Sequence, residues 1–174
     1  MPYEVFISYA HEDRPYLNEL TAHLSLLQKQ NLISTWQDTD ISPGTEWQQQ
    51  IMDRLDRAQI ILLLISADFM HSDFCYSTEM TLAIQRHKAR LACVIPIIIR
   101  PVYWEGAPFA ELKVLPTDAK AVTRWRTHDD AFEDVVQGIA VSIKELQQKG
   151  KAPIQNISPP HDARKVTLIA STNP

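Results

Sequence analysis

The chain is poor in glycine and almost without cysteine. Its four glycines, Gly44, Gly106, Gly138 and Gly150, stand far apart among 174 residues. No G-x-G-x-x-G fingerprint and no P-loop can be built from them. A dehydrogenase that binds its dinucleotide in the Rossmann manner is therefore excluded. Cys75 and Cys93 are the only two cysteines. They form neither a disulfide framework nor a C-x-x-C or Cys/His zinc spacing, so no metal is expected. No apolar run approaches the roughly 18 residues of a membrane span. Met1-Pro2-Tyr3-Glu4 has neither the basic nor the apolar region of a secretory leader, and a reducing cytoplasm is the expectation. A net positive charge is also lacking. The formal net charge is −4 and the lysines and arginines form no stripe, which argues against a nucleic-acid partner.

What the chain does have is alternation of short apolar runs with helical stripes. Val5-Phe6-Ile7 reads as a buried strand. Leu17, Leu20, Leu24 and Leu27 follow at helical spacing. Residues 32–36 form a second, weaker strand. Residues 38–45 are a loop marked by Pro43-Gly44, where proline presets φ and glycine permits positive φ. Trp47, Ile51, Leu55 and Ala58 make the next stripe. Residues 60–65, Ile-Ile-Leu-Leu-Leu-Ile, are a continuous apolar run suited to a parallel strand buried on both faces. Met80, Ala83, Ile84 and His87 then mark a helix, and residues 93–99 a fourth strand. Pro96 lies inside that strand. Proline cannot donate to a ladder, so an edge or a bulge is expected there. Residues 100–118 are irregular, Ala121-Val122-Thr123 reads as a short fifth strand, and Phe132, Val135, Val136, Ile139, Ile143 and Leu146 form a last amphipathic helix.

Strands alternating with helices imply a parallel sheet. The expected class is α/β, a flavodoxin-like three-layer fold with a five-stranded parallel sheet and helices on both faces. The domain is expected to span residues 1–148, with 149–174 a Pro-, Asn- and Ser-containing linker or tail. Residues 166–169 are too few to establish a further strand. The run Ser72-Asp73-Phe74-Cys75-Tyr76-Ser77-Thr78-Glu79-Met80 delivers a carboxylate just past the carboxyl end of the third strand. That edge is where open α/β sheets bind ligands.

With the elements placed, the chain resembles bacterial Toll/interleukin-1 receptor (TIR) domains. Residues 3–9, Tyr-Glu-Val-Phe-Ile-Ser-Tyr, are similar to the first TIR box, and Asp13-Arg14 to a pair that often follows it. Trp36-Gln37-Asp38 and residues 40–47 resemble the second strand and the BB loop. Ser66 and residues 73–79 resemble the catalytic-glutamate segment. Pro108-Phe109-Ala110, Leu115-Pro116, Lys120, Trp125 and Ala131-Phe132 are similar to the last third of bacterial members. The likeness covers about residues 3–146, and four motifs in order make it specific. One position departs: where many members carry Trp four residues before the glutamate, this chain has Cys75, with Phe74 as the neighbouring aromatic.

The resemblance implies cleavage of NAD+ at the nicotinamide–ribose bond, NAD+ being substrate and not cofactor. It further implies antiphage defence or cell-death signalling, self-association through TIR–TIR contacts, and a sensor or effector partner. It makes Glu79 the catalytic residue. A glutamate early in a helix also complements the helix dipole without any catalytic role. Tyr9, Ala10 and His11 line the first strand–helix loop, where a pyrophosphate or adenosine would rest. Asp38 would bind a ribose hydroxyl or simply cap its loop. Trp47 is either a ring-stacking residue or a core anchor. Cys75, one turn before Glu79, is packing or pocket lining. Ile41, Ser42, Pro43 and Gly44 form the implied assembly loop. Two rivals stand beside this reading: a non-enzymatic TIR adaptor, and a nucleoside deoxyribosyltransferase-like enzyme, which the Asp-Ile-Ser-Pro-Gly loop argues against.

Overall fold

A computed structural model of the chain describes residues 1–36 and 46–151. Four parallel strands, β1 (Tyr3–Ser8), β2 (Ile33–Trp36), β3 (Ile60–Ile65) and β4 (Cys93–Ile98), form one sheet in the order β2-β1-β3-β4. Every residue of β3 is buried, as its unbroken apolar run requires for a central strand covered on both sides. The helices are α1 (Arg14–His23), α2 (Ser25–Lys29), α3 (Trp47–Arg57), α4 (Ala67–His71), α5 (Met80–Lys88) and α6 (His128–Lys151). Met1–Ile143 form one compact unit; the described residues of a second unit, Lys144–Pro174, are the last turns of α6. No described helix is long and apolar enough to cross a membrane.

Strand order and handedness decide where the helices go. The chain moves one way from β1 to β2 and the other way from β2 to β3 and on to β4. Right-handed crossovers in opposite directions put their helices on opposite faces. Accordingly Ile51, Leu55 and Ala58 of the α3 stripe cluster with Met80, Ala83 and Ile84 of α5 against Phe6, Ile61, Leu63 and Val94 of the sheet. Leu17, Leu20, Leu24 and Leu27 are all buried, although the helix breaks at Leu24 into α1 and α2.

Among the described residues the sheet has four strands, not the five expected. Ala121-Val122-Thr123 is not a strand; Val122–Arg124 is a turn of 3-10 helix. The place beside β4 is taken by a single bridge, in which Leu115 N–H donates to Pro96 O and Ile98 N–H donates to Leu115 O, both at 2.9 Å. Pro116 then has no N–H to extend the pairing, and Asp118 and Ala119, at φ 61° and 53°, turn the chain away. Gly138 of α6 gives Leu115 its room: a Cβ there would lie 2.7 Å from Leu115 Cδ2. Pro96 is at the sheet edge, as expected. Cys93 N–H and Ile99 N–H point toward β3 and its flanks, to Gln59 O and Ile65 O. The alternation therefore aims the missing donor of Pro96 away from β3, where the ladder does not need it.

Candidate active site

The strand order reverses direction between β1 and β3, and at such a switch point open α/β sheets bind ligands beside the carboxyl edge. The β1 loop supplies Ser8, Tyr9, Ala10 and a 3-10 turn, His11–Asp13. From β3 come Ser66, α4, and a π-helical turn, Phe74–Glu79, that feeds α5. The stripe of Met80, Ala83, Ile84 and His87 predicts Glu79 on the first turns of an ordinary helix; instead Met80 N–H donates to Cys75 O, an i→i+5 bond. Single π turns are uncommon and collect at functional sites.

Glu79 closes this turn and is only 5% exposed. Cys75 is buried with it; its thiol donates to Tyr9 O at 3.3 Å, and its N–H donates to Ser72 Oγ at 3.2 Å. The structure thus brings Cys75 to the β1 loop as well as to Glu79. Burial pushes the thiol pKa up from 9.0 to about 11, with the Glu79 charge adding to the rise and the Ser72 and Ser8 hydroxyls opposing it. Cys75 is accordingly held in its neutral form, donating its hydrogen bond to Tyr9 O. Ala10 is buried, Tyr9 half-buried and His11 exposed. Trp47 begins α3. That helix runs back from the carboxyl edge, so Trp47 lies at the same edge as Glu79, and it is 50% exposed. Asp38, Ile41, Ser42, Pro43 and Gly44 lie outside the described residues, as do residues 166–169.

The raised thiol carries a stability consequence. The folded state keeps its proton above pH 9 while the unfolded chain releases it. The stabilisation is therefore complete below pH 9 and is lost as pH rises through about 11. A shift of this size is worth about 2–3 kcal/mol. The stability difference between the parent and Cys75→Ala is expected to shrink by that order between pH 9 and 11 in urea unfolding. A pH-independent difference would show that the thiol is not held neutral by the fold.

Four residues absent from the expected site complete its frame. Asp13 is completely buried. Its Oδ2 accepts from the Ser66 hydroxyl. Its Oδ1 accepts from Arg100 Nε at 3.0 Å and lies 2.9 Å from Arg100 Nη2. Arg100 Nη2 also pairs with Asp68 of α4. The Asp68 and Asp13 carboxylates hold the guanidinium more firmly charged than usual. Ser66 Oγ in turn accepts from Phe69 N–H at 3.1 Å and caps α4. Sequence carried a partial signal: Asp13 and Ser66 lie in family motifs, but nothing joined them to Arg100, 87 residues from Asp13. Ser8, buried at the end of β1, was equally inconspicuous.

The family model for the TIR domain matches residues 5–136. The chain belongs to the TIR domain family. The uncharacterized protein y4lF of Sinorhizobium fredii is 39% identical to this TIR chain over 170 residues, 98% of the chain and 51% of that protein. The chain therefore spans about half the length of that relative. Among solved structures, the TIR domain of the Toll-related receptor TRR-2 from Hydra magnipapillata superposes with a TM-score of 0.61 at 22% identity, covering 82% of this chain and 98% of that one. The likeness concerns the fold alone. The TIR domains of the activated Roq1 resistosome recognizing the effector XopQ match more loosely, at a TM-score of 0.49 and 14% identity over 97% of each chain.

Proposed function

We propose that this TIR domain cleaves NAD+ to nicotinamide and ADP-ribose or a cyclic isomer, in a self-assembled form serving defence or cell-death signalling. The observation that carries the reading is Glu79 on its π turn at the β1/β3 switch point, tied by Cys75 to the β1 loop. An ordinary O-glycosidase needs two carboxylates because an alkoxide leaving group must be protonated. The nicotinamide of NAD+ is already cationic. As the bond from its ring nitrogen to the anomeric carbon breaks, the electron pair goes to the ring and neutral nicotinamide departs. One carboxylate then suffices. Glu79 holds a ribose hydroxyl and stabilises the positive charge growing on the anomeric carbon. Water, or a nucleophile within ADP-ribose, attacks that carbon and loses its proton. Tyr9, Ala10 and His11 face the adenosine side, with Asp38 at a ribose.

Trp47 stacks on a substrate ring in this reading. Its half exposure weighs against a core anchor. Trp47→Ala is expected to raise KM several-fold, as befits about 1 kcal/mol of stacking. Its unfolding free energy should change by less than about 1 kcal/mol, since partly exposed sites tolerate truncation. A loss of several kcal/mol with normal turnover by the remaining folded fraction would return Trp47 to the core.

Assembly is proposed to proceed through residues 41–44. The test is nicotinamide release across a hundredfold range of protein concentration, roughly micromolar upward, where avidity between weak contacts should matter. Specific activity is expected to climb with concentration. Constant specific activity in a protein that stays monomeric throughout would exclude a shared site. The near-complete burial of Glu79 favours a second reading, a scaffold in which that carboxylate is structural. Absence of nicotinamide release at every concentration would select it.

A further inference from the structure

We infer that Asp13 and Ser66 are positioning residues that set where Glu79 stands relative to the β1 loop. The inference rests on the NAD+-cleavage reading for its kinetic arm only. Two separate ties join the glutamate segment to β1. One is the Cys75 thiol on Tyr9 O, four residues before Glu79. The other lies upstream, where Ser66 donates to Asp13 Oδ2 while capping α4 through Phe69 N–H. Arg100, arriving from β4, bridges Asp13 and Asp68 and so grips α4 a second time.

Asp13 is the hub. It is fully buried, both of its oxygens are engaged, and its own N–H donates to Ala10 O at 2.8 Å, which shapes the loop that carries Tyr9 and Ala10. The run from Ser66 to Glu79 packs on the core through Phe69 and Cys75, but α4 is only five residues long, and the Ser66 tie fixes where the run starts relative to the β1 loop. Ser72, which follows α4, passes the placement on: its carbonyl accepts from Tyr76 N–H at 2.9 Å and its hydroxyl from Cys75 N–H. Removing the Asp13–Ser66 tie frees the start of this run and lets the π turn lift from Tyr9. A buried carboxylate beside a single arginine would otherwise be a costly way to pin a loop. Here it aligns two loops whose residues are 53 positions apart.

The test uses the full chain with Ser66→Ala and Asp13→Asn, and reads two quantities. The first is the labelling rate of each thiol by a cysteine reagent at pH 8, with the labelled peptide identified by mass spectrometry. Local release of the turn is expected to speed Cys75 by roughly ten-fold or more while Cys93 in β4 keeps its rate, the pattern of sub-global opening. The second is nicotinamide release at maximal specific activity. Turnover is expected to fall about ten-fold or more with KM within about two-fold, the signature of a misplaced reacting group. Equal acceleration of Cys75 and Cys93 would mean general destabilisation and would overturn the inference. Unchanged Cys75 labelling in Ser66→Ala would overturn it as well, and Ser66→Ala decides the matter if Asp13→Asn does not fold. A parent protein that releases no nicotinamide would sink the NAD+ reading alone, because the thiol rates still decide the positioning role.

Discussion

Glu79→Gln is expected to abolish nicotinamide release while the protein stays folded. The substitution keeps the size and one acceptor of the side chain and removes the charge. In the proposed reaction that buried charge would stabilise the oxocarbenium-like state more than it could in solution, and losing such a group costs about 10²-fold or more. Glu79 is 5% exposed, so solvent does not substitute for it. Replacing a buried carboxylate by a neutral amide should not cost the fold its stability, because the desolvation penalty of the charge disappears as well. The neighbouring Cys75 supplies an internal check. The Glu79 charge contributes to its raised pKa, so Glu79→Gln should lower the thiol's pKa. Activity within a few-fold of the parent, at equal folded protein, would remove Glu79 from the reaction.

Arg86→Met is expected to produce the largest loss of stability among side chains outside the apolar core. Arg86 projects from α5, is 9% exposed, and donates to Leu55 O at 2.6 Å and Ala58 O at 2.5 Å, with Leu91 O at 3.4 Å. Leu55 and Ala58 lie at the end of α3, where helical carbonyls lack partners of their own. One guanidinium thus caps α3 and fastens it to the helix that follows Glu79. Methionine fills the volume but leaves buried acceptors bare, at about 1–3 kcal/mol each. A total of about 3–5 kcal/mol corresponds to a fall of about 10 °C in melting temperature at this chain length. Asp56, whose carboxylate is 4.0 Å from Arg86 and 74% exposed, should matter little; Asp56→Asn is expected to change stability by less than about 1 kcal/mol. A melting temperature for Arg86→Met within 2–3 °C of the parent, in a scan that resolves about 1 °C, would show that water satisfies those carbonyls.

The elements that were legible in the sequence are those whose neighbours are set by periodicity. Residues 60–65 could be read as a central strand because a run without a polar residue has no face to show to water. The stripes of α3, α5 and α6 declared their buried sides through helical spacing, save that Trp47 at the start of the α3 stripe is half exposed. Pro96 announced an edge or a bulge because a missing donor is a local property, and the strand order decided for the edge. The fifth strand failed for the complementary reason. Three residues, Ala121-Val122-Thr123, suit a strand or a buried turn equally well, and the choice fell to Pro116 and the positive φ of Asp118 and Ala119 upstream.

By itself the sequence determined the α/β class, the four strands in their order along the chain and the carboxyl-edge location of Glu79, which follow from patterns local to the chain; its motifs resembled TIR domains, and the family model shows the membership. Tertiary structure alone decided that Glu79 ends a π turn, that Cys75 reaches Tyr9, and that Asp13, Ser66 and Arg100 meet. A π turn differs from an α turn by one residue in its hydrogen bonds, and no residue type marks it. The cluster draws on loops after three different strands. Such loops converge only once the sheet has set its strand order and its crossovers, and no spacing within one segment records that convergence.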